Sequence, residues 1–227
     1  MIRSALVFAA GRGVRMRPLT DATPKSLLRV GGRLLIEHHL EKLAAAGVRE
    51  IVINTSHLAA QFPAALGDGT RWGLRIRYSD EGPEPLETGG GMKRALVLLG
   101  DAPFIAVSAD IVSEYDYAQL PPEPDGLAHL VMVPNPEFHP RGDFCLDGTR
   151  LNEDGVGERL TFGNIGVYRI ELLSGEADER FKLLPSFQRA MRDRRLSGER
   201  YNGFWRNVGT PEQLAEMERM ASVRAIP

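Results

Sequence analysis

Cysteine is almost absent from the sequence: Cys145 is the only one among 227 residues, which excludes an internal disulfide framework and any zinc site built from several thiolates. A reducing, cytosolic setting is expected. Long apolar runs are also missing. None approaches the roughly 20 residues of a membrane-spanning helix, and Ser4-Ala5-Leu6-Val7-Phe8-Ala9-Ala10 is too short for a signal-peptide core with a cleavage site after it. The expectation is a soluble, cytoplasmic protein with no membrane partner. Charge of one sign is lacking too. With 28 basic and 30 acidic residues the net charge is −2, so no overall field attracts nucleic acid, and any anion must be held at a local site. Lysine is scarce, at four residues, Lys25, Lys42, Lys93 and Lys182. Lys25 stands out among them because it lies in a loop rich in Gly and Pro.

What is present is a hydrophobic content of 43%, enough for one large α/β domain spanning residues 1–227. Apolar runs at Ile2 to Phe8, Ile51 to Asn54, Leu74 to Tyr78 and Phe104 to Ser108 alternate with helical patterns. These patterns cover Leu34 to Ala46, Leu58 to Leu66 and Met92 to Leu99. Such alternation predicts a doubly wound, mostly parallel, Rossmann-like sheet. After Asp110, prolines 121, 122, 124, 134, 136 and 140 break the chain into short strands such as Ala128 to Val133. A smaller mixed-sheet insertion, folding over the first half, is expected there. Helices near Phe181 to Arg192 and after Pro211 complete the reading. Thr210-Pro211-Glu212 carries the residues of a capped helix start.

The chemistry is concentrated in Ala9-Ala10-Gly11-Arg12-Gly13-Val14-Arg15-Met16-Arg17-Pro18-Leu19-Thr20, followed by Thr23-Pro24-Lys25-Ser26-Leu27. A two-glycine loop leaving a parallel strand lets backbone N–H groups close on phosphate oxygens, and Arg15 and Lys25 supply compensating charge. A dinucleotide fingerprint would need glycine where Met16 stands, and a Walker loop would need a closing Gly-Lys-Ser/Thr. Neither is present. The remaining reading of the loop is an ordinary strand-to-helix turn.

This segment resembles the signature of the sugar-1-phosphate nucleotidyltransferases, an Ala-Ala-Gly-x-Gly-x-Arg loop with a following Pro-Lys pair. The resemblance extends through Glu87-Thr88-Gly89-Gly90-Gly91, Ser108-Ala109-Asp110 and Trp205-Arg206-Asn207-Val208-Gly209-Thr210. It implies the nucleotidyltransferase fold, a nucleotide-binding part over about 1–110 and a sugar-binding and C-terminal part over about 111–227. It also implies a nucleoside triphosphate and a sugar 1-phosphate as substrates. Ala10, Gly11 and Gly13 would line the triphosphate, Arg15 would reach its outer phosphates, and Lys25 would sit at the α-phosphate. Glu87 to Gly91, with Glu87 and Gly90 foremost, would hold the base and ribose. Alternatively, these glycines only relieve crowding ahead of Met92.

Asp110, following an apolar strand, falls at the carboxyl edge where open α/β sheets bind ligands. A carboxylate there suits Mg²⁺, although a strand-capping turn residue would look the same. The family's second metal ligand is an aspartate at the place of Asn207, whose amide oxygen can ligate but brings no charge. Gly142 and Asn164 match sugar-facing family positions and are equally readable as turn or strand features. Lys182 would neutralise the sugar phosphate or stand as a solvated helix-end lysine. His38, His39, His57, His129 and His139 show no ligand spacing with carboxylates and read as core or surface residues. Cys145 reads as a small buried hydrophobe.

Within the family, Pro85 to Gly91, Leu127 to Val131 and Arg141 to Phe144 most resemble the branch that joins UTP to N-acetylmuramic acid 1-phosphate in cell-wall sugar recycling. The rivals are uridylyltransferases for N-acetylglucosamine 1-phosphate and guanylyltransferases for mannose 1-phosphate. Bifunctional members of the first kind carry a hexapeptide β-helix that this sequence lacks. A rival of another class, a non-catalytic nucleotide-sugar sensor, has only Asn207 in its favour.

Overall fold

A computed structural model describes residues 1–223. The first half runs through β1 (Ser4–Phe8), the one-turn helix α1 (Leu19–Ala22), the hairpin β2 (Arg29–Val30) and β3 (Arg33–Leu34), and α2 (Leu35–Ala45). It continues with β4 (Glu50–Thr55), α3 (Gln61–Leu66), β5 (Arg75–Asp80), α4 (Glu87–Leu99) and β6 (Phe104–Ser108). The second half adds β7 (Ile111–Ser113), β8 (Ala128–Val133), β9 (Phe144–Asp147), β10 (Arg150–Asn152), β11 (Glu158–Tyr168), α5 (Leu184–Arg192), β12 (Leu196–Arg200), β13 (Trp205–Asn207) and α6 (Pro211–Val223).

Nine strands form one mixed sheet in the order β5-β4-β1-β6-β11-β8-β12-β10-β9. β5, β4, β1 and β6 are parallel, and β11 enters antiparallel between β6 and β8. The second half therefore continues the sheet edge to edge where the sequence reading has it folding over the first half. The cause is hydrogen bonding: β6 would be an open edge, and β11 pairs along it from Ile165 to Tyr168. Successive residues of β1 feed opposite cores. Ala5 and Val7 pack with Ile36, Leu40 and Leu43 of α2, while Leu6 packs with Met92, Ala95 and Leu99 of α4.

Chain order reverses beside β1, since β4 and β5 run outward on one side and β6 returns on the other. Open α/β sheets carry their ligand crevice at such a point, at the carboxyl ends of the strands. Phe8 is there in register with Asn54 on one side and Ser108 on the other. Beyond β6 the chain turns into β7, which is anchored to α2: buried His39 hydrogen-bonds the Tyr117 hydroxyl (2.7 Å) and the Ile111 carbonyl (2.8 Å). Burial lowers the His39 pKa to about 4, so the ring serves as a neutral structural bridge.

α4 begins at Glu87 and not near Met92, so Gly89, Gly90 and Gly91 lie inside a helix. Glycine weakens a helix interior by about 1 kcal/mol relative to alanine. Close packing explains its use here. A Cβ on Gly89 would meet the Phe181 ring, one on Gly90 the Glu179 carbonyl, and one on Gly91 the Glu81 carboxylate and the Asn54 amide. The glycines let residues 179–181 and the ends of β4 and β5 lie directly on the helix start.

Gly91→Ala would drive a methyl group into the Asn54–Glu81 contact. A loss of about 1–3 kcal/mol is expected for such overpacking, measured as a lower urea midpoint at unchanged m-value. The control Val97→Ala, at an exposed position of the same helix, should stay within about 0.5 kcal/mol of the parent. Equal midpoints for both variants would refute the packing account.

Candidate functional site

A cavity of about 620 Å³ opens at the carboxyl edge of β1, β4, β5 and β6; Ala10, Gly11, Lys25, Asn54, Glu87, Asp110 and Arg180 are among its lining residues. Its floor is held by a polar chain crossing three strand ends. The Ala9 N–H donates to Asn54 Oδ1 (2.6 Å), Asn54 Nδ2 donates to Glu81 Oε1 (2.7 Å), and the Leu86 N–H donates to Glu81 Oε2 (2.6 Å). Burial pushes the Glu81 carboxyl above its ordinary value, with those two hydrogen bonds acting in the opposite direction.

The glycine loop lies over this floor. Gly11 faces open space and lines the cavity. Gly13 stands behind the loop at φ 61°, where an added Cβ would come within 2.9 Å of Thr20 and 3.2 Å of the Lys25 Cβ. Its left-handed backbone keeps the loop against the lysine stem. Met16, next in the loop, is buried with Val112 of β7, Val208 and Met217 of α6. The C-terminal helix thereby helps to seat the loop.

Lys25 Nζ donates to Asp110 Oδ2 at 2.6 Å, uniting two residues 85 positions apart. The ammonium is the more enclosed partner, with 13% of its side chain exposed against 31% for Asp110. Arg12 points to the Pro83 carbonyl (2.8 Å), and Arg180 reaches Glu84 at 3.4 Å across the same cavity. Arg15 lines neither cavity described here. Its Nη2 lies beside Gly209, 3.2 Å from where a Cβ would stand, with Asn207 Oδ1 2.9 Å from that point.

A second cavity of about 510 Å³ adjoins the first and shares Phe8, Glu87, Thr88 and Ser108 with it. Glu87 occupies the left-handed region at φ 64°, a conformation that strains a non-glycine residue. Phe138, His139, Asp143, Phe162, Asn164, Lys182, Leu184 and Asn207 line the far part. β11 shifts register between Phe162 and Gly166, and Asn164 within that irregularity has φ 56°. Gly142, at φ 60°, lies behind the wall against Asn135 and the Leu160 carbonyl. It precedes Asp143, which accepts the Phe162 N–H (2.8 Å) and pairs with His139 Nε2 (3.0 Å).

The sequence-derived residues thus fall into groups. Ala10, Gly11, Lys25, Asp110 and Glu87 line the first cavity, and Asn164, Lys182, Asn207 and again Glu87 line the second. Gly13, Gly90 and Gly142 support the walls from behind, and Arg15 stands at the C-terminal loop. Sequence reasoning missed Asn54, Glu81, Arg180, His139 and Asp143. Asn54 ends an apolar strand just as Asp110 follows one, so the same edge rule could have found it. The His139–Asp143 spacing is visible but common, and nothing local marks Arg180 or Glu81.

Among the described residues no three His, Cys, Asp or Glu side chains cluster to hold a metal. Asp110 and Asn207 are nonetheless near neighbours on the β7–β13 ribbon: Asn207 pairs with Ile111, and the Val208 N–H donates to the Asp110 carbonyl at 2.7 Å. One carboxylate and one amide oxygen fit a hard cation that takes its remaining ligands from water and phosphate oxygens. Among the described residues no helix is long and apolar enough to cross a membrane.

Comparison with known proteins agrees with this fold. Two relatives match along nearly their whole length, both named N-acetylmuramate alpha-1-phosphate uridylyltransferase. The one from Neisseria meningitidis serogroup B is 44% identical over 225 residues, covering 96% of this chain and 97% of the relative. The one from Caulobacter vibrioides is 36% identical over 233 residues, covering 96% of each. The solved structure of the inositol-1-phosphate CTP transferase from T. maritima shares the fold, with a TM-score of 0.78 at 16% identity over 97% of this chain and 95% of that one. The family model for nucleotidyl transferases matches residues 4–123, and with strand-edge cavities of this form the chain belongs to the nucleotidyl transferase family.

Proposed function

We propose that the protein transfers the uridylyl group of UTP to N-acetylmuramic acid 1-phosphate, releasing pyrophosphate and UDP-N-acetylmuramic acid. The observation that carries the reading is the 44% identity, over nearly both full chains, to a uridylyltransferase named for that sugar phosphate. The adjoining cavities support it, because the reaction needs a nucleotide and a sugar phosphate held side by side with one phosphate at the boundary.

In this reaction an oxygen of the sugar phosphate attacks the α-phosphorus, and the bond from that phosphorus to the bridging oxygen of pyrophosphate breaks. Catalysis consists of alignment and of charge placed on the non-bridging oxygens. No protein nucleophile takes part. Lys25, steadied by Asp110, meets the α-phosphate, and the backbone of Ala10 and Gly11 follows the remaining phosphates on the side of Arg15, while Gly13 holds the loop against the lysine stem from behind. Glu87 faces the nucleoside, while Gly90 serves that wall by letting residues 179–181 close on α4. Gly142 and Asn164 shape the sugar side. Asp110 and Asn207 would hold Mg²⁺, which supplies positive charge to phosphate oxygens when bound. The single buried thiol, Cys145, is compatible with a cytoplasmic role in cell-wall sugar recycling.

The direct test crosses four or five nucleoside triphosphates with several sugar 1-phosphates and reads pyrophosphate. UTP with N-acetylmuramic acid 1-phosphate should give the highest kcat/KM, and a preference for GTP with mannose 1-phosphate would overturn the reading. Lys25→Ala should lower kcat by about a hundredfold or more with the far-ultraviolet circular dichroism spectrum retained. A near-parental rate would remove Lys25 from the site. Asp110→Asn should raise the Mg²⁺ concentration for half-maximal rate, since the one carboxylate of the proposed metal site is gone. An unchanged titration would assign the metal elsewhere.

A further inference from the structure

Lys182 is the one lysine that lines the second cavity, and among the described residues it makes no ion pair or hydrogen bond. The other group there able to carry positive charge, His139, already meets Asp143 at 3.0 Å. The cavity's two carboxylates are placed apart from this role: Asp143 accepts the Phe162 N–H, and Glu87 stands at the boundary with the first cavity. Two large apolar side chains line the same cavity while remaining open to solvent, Phe138 at 57% and Leu184 at 47% exposure. Leu184 opens α5, a nine-residue helix whose first turn carries no acid, so its positive end adds to the cation nearby.

The phosphate that reacts must reach Lys25 and Asp110, which line only the first cavity, as does Arg180. Lys182 lines only the second. That place sets Lys182 apart from the Lys25–Asp110 pair and on the side of the second cavity, where the sequence reading gives it to the sugar phosphate or to solvent. The substituent that distinguishes muramic acid from glucosamine is a lactyl ether, a carboxylate and a methyl group on one carbon. A free ammonium with exposed apolar side chains in the same cavity offers contacts for both parts.

We infer that Lys182 binds the lactyl carboxylate, with Phe138 and Leu184 receiving its methyl group, and that this contact selects muramyl over glucosaminyl phosphates. The inference rests on the proposed uridylyl transfer to N-acetylmuramic acid 1-phosphate. The test measures kcat/KM with UTP for three substrates: N-acetylmuramic acid 1-phosphate, its lactyl carboxamide and N-acetylglucosamine 1-phosphate. Calorimetric UTP binding verifies that each variant is folded. In Lys182→Gln the preference for the acid over the carboxamide should fall roughly ten- to a hundredfold, the range of a charge-assisted hydrogen bond. Lys182→Arg should keep most of that preference. Leu184→Ser should weaken acid and carboxamide alike relative to the glucosamine substrate. Equal losses on all three substrates in Lys182→Gln would overturn the assignment and leave uridylyl transfer to the muramyl phosphate standing. A parent enzyme with no preference for the acid would overturn both.

Discussion

The hydrogen bonds that Glu81 accepts from Asn54 and Leu86 hold the carboxyl ends of β4 and β5 against the start of α4. Through Asn54 and the Ala9 N–H they also fix the point where the glycine loop leaves β1. A carboxylate taken out of water is costly unless its oxygens are satisfied. Here both oxygens have a donor, and the helix comes close enough only because Gly91 carries no side chain. One buried acid thus couples strand ends, loop and helix into the floor of the first cavity.

The second half of the chain completes the site by a different means. β11 extends the parallel sheet beside β6, and its irregularity at Asn164 turns that side chain toward the cavity that adjoins the first. The β7–β13 ribbon, anchored through His39 and α2, carries Asp110 and Asn207 side by side. Side chains held on strands and ribbons lose little freedom when a ligand arrives, which favours charge already oriented before the reaction.

Electrostatics divides the labour between the two cavities. In the first, Lys25 and Asp110 neutralise each other at 2.6 Å, so a triphosphate entering the proposed site brings charge that the arginines nearby and a divalent cation can balance. Asn207, neutral where the family pattern has aspartate, leaves Asp110 as the only carboxylate of that pair. Affinity for a cation at the proposed site would then depend on phosphate oxygens more than on protein charge. In the second cavity the ammonium of Lys182, unpaired among the described residues, shares the lining with aromatic and aliphatic side chains.

Much of this was legible in the sequence. The alternation of apolar runs with helical spacing determined the parallel half of the sheet, because period 2 and period 3.6 are written locally in the residues. The loop from Ala9 to Arg15 with Lys25 pointed to the end of the sheet where the first cavity opens, because two glycines and a cation after a buried strand suit a loop at a ligand crevice. Other features were decided only by tertiary structure. The three glycines of α4 look like a loop when neighbours are unseen, and only the proximity of Glu179, Phe181 and Glu81 explains why glycine stands inside a helix there. That β11 joins β6 follows from hydrogen-bond satisfaction at an edge across more than fifty residues of chain, which no local pattern records. The Lys25–Asp110 pair, the Asn54–Glu81 bridge and the place of Lys182 in the second cavity likewise depend on which distant segments meet. Composition and spacing state what a side chain can do, and the fold alone sets what it faces.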